Sequence, residues 1–218
     1  MTEMHKKIYG REDIPISDYL MSFQESLTKE FLDYHNDFVV GEFKKGELSK
    51  FIYPLENVLS NPGAWKTTKV KYHFAHIQED MQDETSKFFP TSKKLTQEFG
   101  EDCPISFYSI LEARSVIKRH TGPENRNGEF IRIHIPLIVP DGPIFFEVGG
   151  EVIHWDDIFG FDNQTIHSAY NYTPYRRLVY LIDIRRSRIG MPPGRPFDSA
   201  RDENGYEEFD PRPHIKMK

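Results

Sequence analysis

Nine histidines, and the company each keeps, set out the chemistry open to this chain. His5 and His214 stand near the two ends, and His35 closes a helical pattern, so these three read as unremarkable. His73 lies in the run Lys-Val-Lys-Tyr-His-Phe-Ala and His76 follows it; the two would share a face on a helix, but the run is strand-like, and a structural role is the simpler reading. His154-Trp155-Asp156 imitates the His-x-Asp half of a facial metal site. The next histidine comes only 13 positions later, too close for ligands on well-separated strands, so the motif reads as a decoy. His120 and His167 are better spaced. They lie 47 positions apart, which leaves room for four short strands and their turns.

Two runs add cations to these candidates. In Phe130-Ile131-Arg132-Ile133-His134-Ile135-Pro136-Leu137, the odd positions are purely aliphatic, and Arg132 and His134 share the other face. That face is either solvated or the lining of a polar cavity. In Arg176-Arg177-Leu178-Val179-Tyr180-Leu181-Ile182-Asp183, positions 178–182 are continuously apolar, as in a strand buried on both faces. One arginine at its mouth then points inward, and a buried guanidinium needs an anionic partner. Asp183, on the same face as Arg177, is one candidate; a bound dicarboxylate is the other.

The elements that must position these residues fall into two halves. Residues 17–35 carry Leu20, Phe23, Leu27, Phe31 and Tyr34 at helical spacing, with Ser17 as the expected N-cap. A second helix is expected from about Thr91 to Phe99, ended by Gly100, with an Asn61-Pro62-Gly63 turn in between. From Pro104 the period drops to two. Stretches 104–112, 129–139, 144–148, 151–155, 165–171 and 176–185 are short, rich in β-branched or aromatic residues, and separated by turn formers. This predicts a mainly β fold with flanking helices, a sandwich or barrel rather than βαβ units. The 47-residue gap suits the second and seventh strands of a double-stranded β-helix. The tail from Gly190, rich in Pro, Gly, Asp, Glu and Arg, is expected to wrap the surface or stay mobile.

The whole chain narrows the function classes. Its 218 residues suit one domain with a sizeable core. A formal charge of -6 argues against nucleic acid as a main partner, although Arg185-Arg186-Ser187-Arg188 is locally basic. The single cysteine, Cys103, excludes an intrachain disulfide framework and fits a reducing cytosol. No apolar run approaches the ~20 residues of a membrane span, and Met1 to Lys7 lacks the apolar core of a signal peptide. The expectation is a cytoplasmic protein with no membrane partner.

Taken in order, His120-Thr121-Gly122-Pro123, Ile131-Arg132-Ile133-His134, Phe161-Asp162-Asn163 with His167, and Arg177-Leu178 with Asp183 resemble the aspartyl/asparaginyl β-hydroxylase family. The resemblance spans roughly residues 104–186 and is specific as a set; the first hundred residues show no such likeness. It implies a cupin-like jelly roll, the double-stranded β-helix of 2-oxoglutarate oxygenases. It further implies Fe(II) held by His120 and His167, with 2-oxoglutarate as cosubstrate and O2 as oxidant. Arg177, ten positions past His167, matches the arginine that pairs with the distal carboxylate of 2-oxoglutarate. Ser109 matches a serine that helps hold that carboxylate. Arg132 and His134 match a pair that meets the other carboxylate, the substrate, or both.

Two departures shape the expectation. Position 122 is Gly, where most 2-oxoglutarate oxygenases carry a carboxylate ligand. The family resembled has Gly there and hydroxylates, so Gly122 points towards that branch, with halogenation a minor alternative and Asp162 or Glu124 as candidate outer carboxylates. Phe130 replaces a second arginine near Arg132, which weakens recognition of an acidic side chain unless Arg126 compensates. The reaction implied is hydroxylation of an amino acid, free or within a peptide, or of a similar small soluble molecule, with succinate and CO2 released. The alternatives are a non-catalytic 2-oxoglutarate or metal sensor of the same fold, and a metal-free interaction module. The chain is read as a single domain, 1–218. Residues 1–100 form a helix-containing N-terminal part expected to cover the pocket, 104–186 the β-helix core, and 190–218 the tail.

Overall fold

A computed structural model describes residues 6–35, 52–54, 64–74, 77–79, 88–122, 125, 127–202 and 204–215. Twelve strands are described: β1 (Ile8–Tyr9), β2 (Ile52–Pro54), β3 (Trp65–Phe74), β4 (Ile77–Glu79), β5 (Ile105–Leu111), β6 (Ser115–His120), β7 (Phe130–Ile138), β8 (Ile144–Val148), β9 (Glu151–Ile153), β10 (Phe159–Phe161), β11 (His167–Asn171) and β12 (Arg177–Arg185). They form two antiparallel sheets. The major one has the order β1-β10-β7-β12-β5-β3-β2, with β4 beside β3; the minor one runs β6-β11-β8-β9. From β5 onward the chain crosses from one sheet to the other at every step except the β8–β9 hairpin, in the manner of a jelly roll. The fold is therefore a double-stranded β-helix, the form that the resemblance implied within the sandwich or barrel that the strand pattern predicted.

Three helices lie on the outer face of the major sheet: α1 (Ser17–Met21), α2 (Gln24–Tyr34) and α3 (Pro90–Phe99). The single helix expected over 17–35 is broken at Ser22 and Phe23, where backbone N–H groups reach the carbonyls of Tyr19 and Leu20, three residues back, and tighten the turn. Ser17 is the first helical residue rather than the N-cap, and its hydroxyl donates to the Arg11 carbonyl. Gly100 ends α3 with φ +54, a conformation that other residues adopt at a cost. The Asn61-Pro62-Gly63 turn, His5 and His76 lie outside the described residues.

Strand parity divides the interior into two cores. Ile131, Ile133 and Ile135 of β7 and Leu178, Tyr180 and Ile182 of β12 pack outward against Leu20, Leu27, Phe31 and Leu95. Each buried aliphatic side chain contributes about 1.5–3 kcal/mol. Val179 and Leu181 point the other way, between the sheets, with Phe107, Phe146, Phe161 and Ile117. Arg132, His134, Arg177 and Asp183 occupy that same inward face and are buried. The polar face of the best strand is thus a cavity lining and not a solvated surface.

From Pro104 onward the strand pattern missed two members. Residues 115–120 and 159–161 form strands, one carrying charge and the other only three residues long, so neither shows a clear period of two. The N-terminal helices sit behind the major sheet, away from the cavity, and only Trp65 of β3 is described reaching it. The tail packs along the barrel. Arg195 and Asp202 form a buried ion pair, and Phe209 and His214 lie near Phe145. The basic stretch is neutralised: Arg185 pairs with Asp102 and Glu129, and Arg186 with Asp162. Cys103 is fully buried, and burial pushes its thiol up to about 12.

Candidate metal and dicarboxylate site

His120 ends β6 and His167 begins β11, and the antiparallel register sets the two directly opposite each other. Their ring centroids lie 4.2 Å apart at the mouth of a cleft between the sheets. Each imidazole is oriented from behind. His120 Nδ1 lies 2.7 Å from the Lys118 carbonyl, and His167 Nδ1 2.7 Å from the Thr165 carbonyl. A carbonyl only accepts, so Nδ1 carries the proton on both rings and Nε2 carries the lone pair. Burial, then the neighbouring His120, pulls the His167 pKa well below its ordinary value, which keeps the ring neutral. Two such nitrogens could form one edge of a divalent metal site.

No third protein ligand joins them among the described residues. Gly122 explains this sterically. A Cβ there would stand 1.7 Å from Asn163 Nδ2, and the Gly122 N–H donates to the Asn163 carbonyl at 2.8 Å. The amide of Asn163 therefore fills the space a side chain at position 122 would need. Asp162 is committed to Arg186, and Glu124 and Arg126 lie outside the described residues.

Deeper in the cleft, two arginines have opposite surroundings. Arg132 spends its fork within the protein. Nε and Nη2 donate to Asp183 at 2.7 and 2.8 Å, and Nη1 donates to Asn163 Oδ1 at 3.0 Å. The resemblance has Arg132 meet the other carboxylate of 2-oxoglutarate, the substrate, or both; these three bonds stay within the protein, although Arg132 still lines the cleft. Pairing with Arg132 also removes Asp183 as a partner for Arg177. Register places Asp183 opposite Arg132, whereas six residues of extended chain, about 20 Å, separate it from Arg177.

Arg177 is 1% exposed and has no carboxylate partner among the described residues. Its guanidinium makes one long contact, 3.5 Å, with Ser109 Oγ, and lies 4.6 Å from the centre of the Trp155 ring. Nε has no hydrogen-bond acceptor. Burial alone pulls its pKa down to about 9, still cationic at neutral pH. Ser109 Oγ accepts from the Trp65 indole at 3.0 Å, which leaves its own O–H to donate elsewhere. His134 Nδ1 accepts from the Trp155 indole at 3.1 Å, so its proton sits on Nε2, a buried donor without an acceptor. Burial first, then Arg177 and Arg132, hold His134 well below its ordinary pKa. Arg177, Ser109 and His134 thus line one cleft with donors that lack acceptors among the described residues.

His154 and Asp156 stand apart from all this. Both are exposed, and the His154 ring contacts the Ile144 carbonyl and Phe145 on the outer side of the minor sheet. Trp65, Trp155 and Asn163 are the site residues that the sequence reading missed. Trp155 lay hidden inside the decoy motif, and Asn163 ends the run Phe161-Asp162-Asn163, whose spacing alone assigns it no role.

A scan of family models matches residues 26–187 to the aspartyl/asparaginyl β-hydroxylase family. The chain belongs to the aspartyl/asparaginyl β-hydroxylase family. The match reaches further than residues 104–186 and takes in α2, β3 and α3. Partial structural likeness extends to a Pseudomonas putida prolyl-4-hydroxylase (7% identity, TM-score 0.43, 75% of this chain and 87% of that one). A 2OG-Fe(II) oxygenase family oxidoreductase from Burkholderia pseudomallei superposes similarly (13%, 0.42, 71% and 83%). So does a Trichoplax adhaerens prolyl hydroxylase, solved with a hypoxia inducible factor peptide fragment (12%, 0.40, 78% and 81%). No curated protein matches the sequence significantly. No described helix is long and apolar enough to cross a membrane.

Proposed function

We propose that this member of the family is an iron(II)/2-oxoglutarate-dependent dioxygenase. Its substrate is an amino acid, free or within a peptide, or a similar small soluble molecule. Iron(II) with 2-oxoglutarate and O2 supplies the oxidising power that hydroxylates a C–H bond, with succinate and CO2 as coproducts.

The residues present suit those groups. His120 and His167 would hold iron(II) through Nε2, and their Nδ1–H bonds to backbone carbonyls hold both rings in the ligating tautomer. Arg177, Ser109 and His134 would hold a carboxylate of 2-oxoglutarate, which accepts hydrogen bonds and donates none. A guanidinium fork offers two parallel charge-assisted bonds to such a group. With Gly122 and the Asn163 amide there, the two imidazoles are the ligand set that the described residues offer. The apolar walls, Ile117, Phe146, Phe161 and Leu181, keep bulk water from the bound cosubstrate. Arg132 would act indirectly, by holding Asn163 beside the metal pair.

The observation that carries this reading is Arg177. A buried guanidinium without a carboxylate is costly to keep, and the two imidazoles share its cleft. The test is succinate release in air with Fe(II) and 2-oxoglutarate, screened against amino acids and peptides. The expected result is a subset of substrates that stimulates succinate formation and gains an oxygen atom. Tight 2-oxoglutarate binding with no turnover across the panel would instead identify a sensor.

A further inference from the structure

Trp155 enters the barrel alone. It sits in the turn between β9 and β10, buried, while its neighbours His154 and Asp156 are exposed. Two contacts make the indole more than filling. Its N–H donates to His134 Nδ1 at 3.1 Å, with the two ring planes nearly parallel at 3°. Its face lies 4.6 Å from the Arg177 guanidinium carbon. An indole N–H can only donate, so it is compatible with one neutral histidine tautomer, the one protonated at Nε2. The opposite tautomer would set two N–H groups head to head in a dry site, a buried polar clash worth a large penalty.

We propose that Trp155 is a positioning residue of the dicarboxylate subsite, holding His134 as an Nε2–H donor and Arg177 in place beneath it. The inference rests on the reading above that Arg177, Ser109 and His134 take a carboxylate of 2-oxoglutarate. It explains how one barrel holds histidines in opposite tautomers. Backbone carbonyls set His120 and His167 as Nε2 lone-pair ligands, whereas an indole sets His134 as an Nε2 donor. The first arrangement suits a cation and the second an anion.

The test uses the full chain loaded with Zn(II), a diamagnetic substitute for iron(II). Nitrogen-15 NMR of the histidine rings reads the tautomer, and calorimetry reads 2-oxoglutarate affinity. In the wild type, His134 Nδ1 is expected to be unprotonated, and its Nε2–H resonance to move when 2-oxoglutarate is added. Trp155→Phe keeps an aromatic face for Arg177 and removes the N–H. It is expected to introduce an Nδ1–H population and to weaken 2-oxoglutarate about ten-fold, the scale of one lost hydrogen bond. In a His134→Gln background the same change is expected to cost about two-fold or less, which a merely structural tryptophan would not show.

An Nδ1–H tautomer in the wild type overturns the proposal without any variant. So does a Trp155→Phe protein with unchanged tautomer and affinity, or a loss equally large in the His134→Gln background. A wild type that takes up no 2-oxoglutarate overturns the function proposed above, whichever tautomer His134 shows.

Discussion

Arg132 and Arg177 project into the same barrel from neighbouring strands, yet one is finished and the other is not. Arg132 is held by a bidentate carboxylate and an amide, all within the protein. Arg177 is more deeply buried and touches a serine at long range and an indole face. A buried ion pair is self-consistent, whereas a buried lone cation is a cost the fold carries for something outside itself. On the function proposed, the difference separates the part of the interior that stabilises the protein from the part that binds.

That contrast is open to direct attack. Arg132→Met would strand Asp183 as a buried, unpaired carboxylate and is expected to cost about 3–5 kcal/mol in denaturant unfolding. Most of this should return in Arg132→Met with Asp183→Leu. Arg177→Met removes a charge with no partner, so the ligand-free protein is expected to lose no stability and to melt at the same temperature or higher. Equal destabilisation by the two single changes would erase the distinction.

Smaller effects sharpen the picture. Gly122→Asp forces a side chain onto the Asn163 amide, and an overpacked site of this kind costs about 1–3 kcal/mol. Adding Asn163→Gly should relieve it, a comparison read from thermal melts. Ser109→Ala removes one neutral donor from the carboxylate cradle and is expected to weaken 2-oxoglutarate binding about five-fold, by roughly 1 kcal/mol. His154→Ala, outside the cleft, should change metal affinity by less than a factor of about two on titration with Fe(II) under anaerobic conditions.

The legible parts of the molecule were those where periodicity does the work. Alternating isoleucines around Arg132 and His134 put those two on one face, solvated or lining a cavity, and the unbroken apolar run after Arg177 announced a strand buried on both sides. Spacing singled out His120 and His167 because a register pair must span the strands between them. Partner choice was not legible. Asp183 and Arg177 share a face, but only cross-strand register shows that the carboxylate belongs to Arg132. Trp155 and Asn163 were missed for a related reason. Their roles arise from turns, where the chain bends one residue inward, and no period marks such a position.

The central claim is that the lone guanidinium exists for 2-oxoglutarate beside a two-histidine metal site. The most direct measurement is anaerobic calorimetric titration of 2-oxoglutarate into the Fe(II)-loaded wild type and Arg177→Met proteins. One equivalent is expected to bind to the wild type, with affinity falling at least about 100-fold in the variant, as loss of a buried charge-assisted pair implies. Equal binding by the two proteins, or none by the wild type, would contradict the account.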